Sequence, residues 1–171
     1  MSEKYLGVMY YHGQGVKRNY TKALKWYRKS AEQGLALGQY GLGVMYYHGQ
    51  GVEKDYAKAV EWWRKAAEQG DALDQNNLGA MYEDGKGVEQ NYAKAVKWYR
   101  KSAEQGFSPG QYNLGRMYEH GQGVPQNYIK AYKWLALAAA QGNADASKDI
   151  GILSQRMTPD QLAKAHERHF R

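Results

Sequence analysis

The sequence predicts an all-α fold, an α/α superhelix (solenoid) of four 36-residue helix-turn-helix repeats with a C-terminal half repeat and a capping helix. Three observations lead to this prediction: a Leu-Gly dipeptide that recurs every 36 residues, glycines that separate amphipathic segments, and no segment with the alternation of a strand. Residues 37–72 and 73–108 are identical at 22 of 36 positions without a gap. Because one such unit cannot bury its apolar face alone, consecutive units are expected to stack.

The repeats are expected to form a single domain over residues 1–171. Its dipeptide markers are Leu6-Gly7, Leu42-Gly43, Leu78-Gly79 and Leu114-Gly115, and Ile150-Gly151 continues the register. The predicted boundaries are 1–36, 37–72, 73–108 and 109–144 for the repeats and 145–171 for the C-terminal cap.

The first helix of a repeat is clearest in the second copy, where it is predicted from about residue 37 to residue 48. Its apolar stripe contains Tyr40, Leu42, Gly43 and Tyr46. Glycines follow at positions 49 and 51, and glycine enters the left-handed region without a Cβ clash. The sequence therefore predicts a helix end, a sharp reversal and an antiparallel second helix.

The second helix of each repeat begins after a short polar residue that can cap a free amide of the first turn: Asn19, Asp55, Asn91 and Asn127. In the second copy Ala59 and Trp63 share the apolar face, with Trp62 on its flank. Either Trp62 or Tyr46 is predicted to fill the space beside Gly43 and Ala59. Each helix ends at a Gln-Gly pair, with the glycine at position 34, 70, 106 or 142.

The C-terminal segment departs from this pattern. Residues 143 to about 155 resemble another first helix, and Thr158-Pro159-Asp160-Gln161 has the residues of an N-cap, a first-turn proline and a capping box. The last helix is predicted to run to about Arg171 and to be polar on much of its surface. It is expected to be the solvating cap of the array.

No catalytic residue, cofactor site or metal site is predicted. The chain has no cysteine, which excludes disulfides, thiolate zinc sites and a Cys nucleophile, and Ser-x-x-Lys and Gly-x-Ser-x-Gly are absent. His12, His48 and His120 share one repeat position, where they are expected to cap carbonyls at the helix end. His166 and His169 are one residue closer than in a zincin motif, and no third ligand is evident.

Charge leaves a second interpretation open. The chain has 24 Lys and Arg against 17 Asp and Glu, a formal net charge of +7, and the excess is concentrated in residues 1–36. A basic patch is predicted there, formed by Lys17, Arg18, Lys22, Lys25, Arg28 and Lys29. Such a patch could contact nucleic acid, an acidic protein or an anionic membrane surface. A solvated helix face is the favoured interpretation, and no nucleic-acid partner is expected.

The compartment is not predicted by the sequence. No apolar segment reaches the length of a membrane span, and no signal peptide is recognisable at the N-terminus. The chain is expected to be soluble, and cytoplasmic as it stands. It would be periplasmic or secreted if a signal peptide precedes these residues in the full-length protein.

The repeated blocks resemble the Sel-1-like repeat, a relative of the tetratricopeptide repeat. They are Leu78-Gly79-Ala80-Met81-Tyr82, Gly85-Lys86-Gly87-Val88, Asn91-Tyr92-Ala93-Lys94-Ala95 and Trp98 to Gly106, and the Met157-to-Ala165 tail resembles the end of many bacterial members. The resemblance implies a right-handed superhelix, a concave face lined by first helices, and a scaffold or adaptor that binds a protein or peptide. Some cysteine-rich members bind or hydrolyse β-lactams, so the resemblance also leaves an enzyme as an alternative function. Those members have a disulfide in each repeat, whereas this chain has no cysteine.

A partner surface is expected where first-helix residues point away from the second helix and vary between copies. The predicted binding residues are Tyr40, Val44, Tyr47, Asn76, Asn77, Glu83, Tyr112, Asn113, Arg116 and Glu119. Aromatic, amide and charged groups in one groove suit an extended or helical peptide, and Arg116 could pair with a carboxylate.

Overall fold

The structure, a computed structural model, describes residues 3–167 of the 171-residue chain. Every regular element in this range is a helix, which confirms the prediction of an all-α helical repeat. The chain divides into two compact units, residues 1–90 and 91–171. Within residues 3–167, no helix is long and apolar enough to cross a bilayer.

The first unit contains a 3-10 helix, Glu3–Tyr5, and five α-helices. These are α1 (Leu6–His12), α2 (Tyr20–Glu32), α3 (Ala36–His48), α4 (Tyr56–Glu68) and α5 (Ala72–Asp84). Each second helix packs between two first helices, so that α2 contacts α1 and α3, and α4 contacts α3 and α5.

The second unit repeats this arrangement with five further helices. They are α6 (Tyr92–Glu104), α7 (Ser108–His120), α8 (Tyr128–Ala140), α9 (Ala144–Arg156) and α10 (Pro159–Ala165). The long helices pack in sequence order, α6 on α7, α7 on α8 and α8 on α9, whereas α10 packs on α8.

The turn from a first to a second helix depends on glycine and an N-cap. Gly49 has φ of 68° and its N–H donates to the Met45 carbonyl, which closes the end of α3. The Asp55 carboxylate then accepts from the Lys58 N–H at 3.0 Å and begins α4. Asn19, Asn91 and Asn127 make the corresponding bond in the other copies, so all four predicted N-caps are confirmed.

The glutamine of each Gln-Gly pair can link one repeat to the one before it. Gln69 Nε2 donates to the Gly34 carbonyl at 3.0 Å and to Gln39 Oε1 at 2.7 Å. Gln141 makes the same two bonds in the second unit, to the Gly106 carbonyl at 2.9 Å and to Gln111 Oε1 at 2.8 Å. The glutamine therefore stabilises the stacking of helices as well as the turn.

The space beside Gly43 is filled by Trp63. A Cβ at Gly43 would overlap the Trp63 indole, whose Nε1 donates to the Tyr40 carbonyl at 3.3 Å. Trp62 is only half-buried, and Lys65 Nζ lies 4.6 Å from its ring centroid. The prediction that Trp62 fills this space is wrong, because consecutive helical residues point about 100° apart and only one of the two can face α3.

A buried aspartate interrupts the core between α4 and α5. In two other copies the corresponding site pairs a glycine of the first helix with a serine of the preceding helix, Gly38 with Ser30 and Gly110 with Ser102. Here the pair is Asp74 and Ala66, so the larger side chain comes from the other helix. Asp74 is fully buried, and neither carboxyl oxygen has a hydrogen-bond partner among the described residues.

The C-terminal cap begins as predicted but is shorter. Thr158 and Gln161 form a capping box, with Pro159 at the first helical position. The helix ends at Ala165, so the prediction that it runs to about Arg171 is wrong. His169 of the predicted histidine pair lies outside the described residues.

Candidate binding groove

A groove of about 500 Å³ opens in the first unit and is lined mainly by first helices. Most lining residues come from α1, α3 and α5, with one residue each from α2 and α4. The lining residues are Tyr11, His12, Tyr27, Tyr40, Gly41, Val44, Tyr47, His48, Trp63, Asn77, Ala80, Met81 and Asp84. This volume is within the range of ligand-binding clefts.

The groove exists because two positions carry small residues. A Cβ at Gly41 would come within 2.5 Å of the Tyr27 ring, so this ring occupies the place of an α3 side chain. Asn77 and Asn113 stand at the corresponding position of later copies. Ala80 is the second small residue, at a position occupied by Val44 in the preceding copy. The small residues Gly41 and Ala80 are thus specific to this part of the array, although the backbone repeats.

Aromatic rings form most of the walls. The Tyr47 and Trp63 ring centroids are 5.5 Å apart, and those of Tyr11 and Tyr27 are 6.3 Å apart. Both distances are in the range where aromatic pairs attract each other. The rings therefore pack against one another in the walls of the groove.

Residues of the turns hold two of these tyrosines in place. Tyr11 donates its hydroxyl proton to Gln50 Oε1 at 2.7 Å, and Lys86 Nζ donates to the Tyr47 hydroxyl at 3.4 Å. Burial raises the pKa of Tyr11 and Tyr40 above the ordinary value for tyrosine. These hydroxyls stay protonated at physiological pH, so they offer hydrogen bonds and no charge.

Ionisable groups are confined to the rim of the groove. His12, His48 and Asp84 line it but are exposed. The two imidazoles contact the preceding tyrosine rings edge to face, with centroids 4.9 and 5.0 Å apart. Among the described residues, no three His, Asp or Glu side chains come together as a metal site would require. The chemistry of the groove is aromatic and neutral.

The second unit holds a separate polar cluster on α7. The Tyr112 hydroxyl donates to Asp149 Oδ2 at 3.0 Å, and burial together with this bond raises the pKa of Tyr112 to about 12. Arg116 Nη2 donates to Asn113 Oδ1 at 3.2 Å, and its guanidinium lies 5.7 Å from the Tyr112 ring centroid. These three α7 residues thus lie side by side and half-buried.

Comparison with known families explains the architecture. The Sel1 repeat family matches residues 1–35, 36–71, 72–107 and 108–143, which together cover most of the chain. The chain belongs to the Sel1 repeat family. The second, third and fourth matched repeats begin one residue earlier than the boundaries placed from the sequence. Sel1 repeat proteins are generally protein-interaction scaffolds and are typically not enzymes.

Solved structures of this family share the fold. One is c5321, a protective antigen present in uropathogenic Escherichia coli strains, with 42% identity over 95% of this chain and 35% of that chain, and a TM-score of 0.86. A Sel1 repeat protein from Oxalobacter formigenes is 36% identical over 86% of this chain and 61% of its own, with a TM-score of 0.80. The chain therefore spans about a third and about three fifths of these two proteins.

A third similar structure carries the cysteines that this chain lacks. Helicobacter pylori cysteine rich protein B is 28% identical over 80% of this chain and 98% of its own, with a TM-score of 0.60. Comparison with curated proteins gives no match.

Four of the predicted binding residues of this Sel1 protein line the groove: Tyr40, Val44, Tyr47 and Asn77. Asn76 and Glu83 are half-buried on α5 and do not line it. The prediction that Glu119 lies on an exposed surface is wrong. It is 7% exposed, and its carboxylate lies 3.8 Å from Arg156 Nη1 of α9.

Two lining residues of the groove, Tyr27 and Trp63, are not among the binding residues predicted from the sequence. The sequence places Trp63 on the packed apolar face of α4 and gives no prediction for Tyr27, but both side chains line the opening. Gly41 gave the only local signal, because it is a glycine within a helix at a position where the next copies carry asparagine. A glycine that breaks the internal repeat indicates close packing or a gap.

Proposed function

We propose that this chain is a protein-interaction module whose first unit binds an extended peptide segment in the groove. The supporting observation is the groove itself, an opening of about 500 Å³ with aromatic walls in a chain of scaffold repeats. Tyrosine and tryptophan rings bury a large apolar area and lose little conformational entropy on binding. We expect an apolar or aromatic peptide side chain to enter the opening and pack against these rings.

Asn77 supports recognition of a peptide backbone. Its side-chain amide carries both a donor and an acceptor, and it lies in the groove beside Ala80. An extended peptide offers the same two groups at every residue. Because the interior of the groove is neutral, the affinity should depend little on salt.

The proposed site is tested by filling the groove. Ala80→Arg places a long side chain in the opening, and the scaffold already carries Arg116 at the corresponding position of the next copy. Peptides would be selected from a random library on the immobilised protein, and their affinity measured by fluorescence polarisation. Binding should weaken about tenfold or more in Ala80→Arg, a loss of roughly 1.4 kcal/mol.

A matched control separates occlusion from the added charge. Ala57→Arg introduces the same side chain at an exposed position on α4 and should leave the affinity within about twofold. Equal binding by wild type and Ala80→Arg, with helicity intact, would place the peptide elsewhere. A loss that is as large in Ala57→Arg would indicate an effect of charge.

We infer that the chain does not hydrolyse β-lactams. It contains no cysteine, unlike the cysteine-rich members whose resemblance suggests β-lactam chemistry, and no Ser-x-x-Lys motif. Turnover above the buffer rate that follows the protein through a sizing column would contradict this inference.

A second candidate site is the basic hollow of the first repeat. Lys17, Arg18 and Lys22 line a cavity of about 480 Å³ beside Tyr10. An anionic partner bound there would lose affinity steeply with salt, by about 10³-fold or more between 50 and 200 mM if many phosphates were neutralised. The salt dependence therefore distinguishes this site from the groove.

A further inference from the structure

The last first-type helix, α9, lacks the partner that the earlier ones have. Gly7, Gly43 and Gly115 each lie against a large side chain of the helix that follows: Tyr27, Trp63 and Leu135, respectively. Gly151 stands at the same repeat position, but among the described residues no atom lies within 4 Å of where its Cβ would be. The interface that closes each earlier repeat is open here.

The short helix α10 does not close this interface, because it packs on α8. The Tyr132 hydroxyl of α8 lies 2.9 Å from His166 Nε2, just after α10, and the rings of the two residues meet edge to face at 5.3 Å. Ala165 at the end of α10 is buried. The chain thus crosses to the previous helix after Thr158 and does not run back along α9.

The exposure of α9 agrees with a missing neighbour. Leu42, Leu78 and Leu114 are at most 1% exposed, whereas Ile150 at the same repeat position is only half-buried. Gly151 is exposed, and Ile152 is 42% exposed. Two isoleucines therefore flank an open glycine along this face.

The internal repeat specifies what fits such a face. In each closed repeat the contacting helix carries alanine and, four residues later, a large residue, and both are buried. The pairs are Ala23 and Tyr27, Ala59 and Trp63, and Ala131 and Leu135. The alanine lets the two backbones approach, and the large side chain covers the glycine.

We propose that the α9 face around Gly151 is a docking site for an amphipathic helix of a partner protein, with the pattern Ala-x-x-x-Trp, Tyr or Leu. The docked helix would continue the interface by which each earlier first helix meets its second helix. A folded second copy of this chain has its own helices of this pattern already buried, which favours a separate partner. This site is independent of the groove in the first unit.

The probe for this test is a labelled synthetic peptide of residues 55–69, the chain's own α4 with its Asp55 cap. It should bind the full-length protein saturably in fluorescence polarisation. Gly151→Leu fills the open position and should weaken binding about tenfold or more. The variant should melt at the same or a higher temperature, because glycine inside a helix is destabilising and the site has room for a side chain.

Two controls make the result specific. Asp145→Leu adds the same side chain at an exposed α9 position on another side of the helix and should retain binding. A peptide with Trp63→Ala should bind at least about tenfold more weakly. Absent binding, or equal binding to Gly151→Leu, would overturn the proposal. A dimer in sedimentation that Gly151→Leu dissolves would assign the face to a second copy and would also overturn it.

Discussion

At the scale of single residues, Asp74 is the least expected feature of the core. The site between a first helix and the preceding helix holds one side chain larger than alanine in each of three copies, serine at 30 and 102 and aspartate at 74. Asp74 comes from the first helix α5, whereas the two serines come from the preceding helix, so the site is filled in each case. This arrangement also buries a carboxyl group, since Asp74 is fully buried. Desolvation, assisted by the nearby Asp71 carboxylate, raises the pKa of Asp74 to about 9.

The raised pKa predicts stability that falls with pH. The folded state holds a proton that the unfolded chain releases near its ordinary pKa, so this stability is fully present below about pH 4 and is lost as pH rises towards 9. Asp74→Ala should therefore stabilise the protein by about 1–3 kcal/mol at pH 8, the usual cost of an unsatisfied buried polar group. Urea titrations at pH 4.5 and pH 8 measure the difference.

The control for this prediction is Glu68→Ala, an exposed carboxylate on α4. It should change neither stability nor its pH dependence by more than about 0.5 kcal/mol. If Asp74→Ala lowers stability at pH 8, the carboxyl group has a partner that compensates for its burial.

At the scale of helices and turns, local signals were sufficient for most of the fold. A cap, a left-handed glycine and an amphipathic stripe each act within one or two helical turns, so Asp55 and Gly49 could be assigned from the sequence alone. The position of α10 could not, because its capping box sets where the helix begins and says nothing about which neighbour it packs on. The lining of the groove was partly predictable. Tyr40 and Tyr47 follow from helix geometry, whereas the contribution of Tyr27 depends on a contact between helices, because its ring lies over Gly41.

The glutamine links give a prediction at this scale. Gln111 is 4% exposed, receives a hydrogen bond from Gln141 and donates to the Ala103 carbonyl at 3.4 Å, so three successive segments are joined. Gln141→Ala should destabilise the protein by about 1–3 kcal/mol, because Gln111 Oε1 loses its donor in a buried site. Denaturant titration measures this loss.

Gln33→Ala provides the comparison, since the Gln33 side chain forms no hydrogen bond among the described residues. Its cost should stay below about 0.5 kcal/mol. Similar losses in both variants would mean that the glutamine acts only in the turn and does not join the helices.

At the scale of the whole molecule, the basic side chains behind the formal charge of +7 partly follow the repeat. The cations of α2 recur in α6 as Lys94, Lys97, Arg100 and Lys101, so most of the basic face follows the repeat. Lys29, Lys65 and Lys101 each lie near a tryptophan ring, at 5.2, 4.6 and 4.9 Å from the centroid. Their methylene stems can cover these rings while the ammonium groups stay in water. This packing role supports the interpretation of a solvated scaffold face.

The last prediction compares this outer face with the groove. Replacing Lys22, Lys25 and Lys29 with Glu reverses the charge of α2, while Ala80→Arg occludes the groove. The three exposed substitutions should lower stability by about 1–3 kcal/mol in total, because two cation-π contacts with Trp26 and the Lys29–Glu3 ion pair at 3.3 Å are lost. They should leave affinity for the selected peptides within about threefold, since the groove is neutral and its ligand is held by aromatic contacts. If the outer-face variant loses the peptide and Ala80→Arg retains it, the basic face is the binding site and the groove is not.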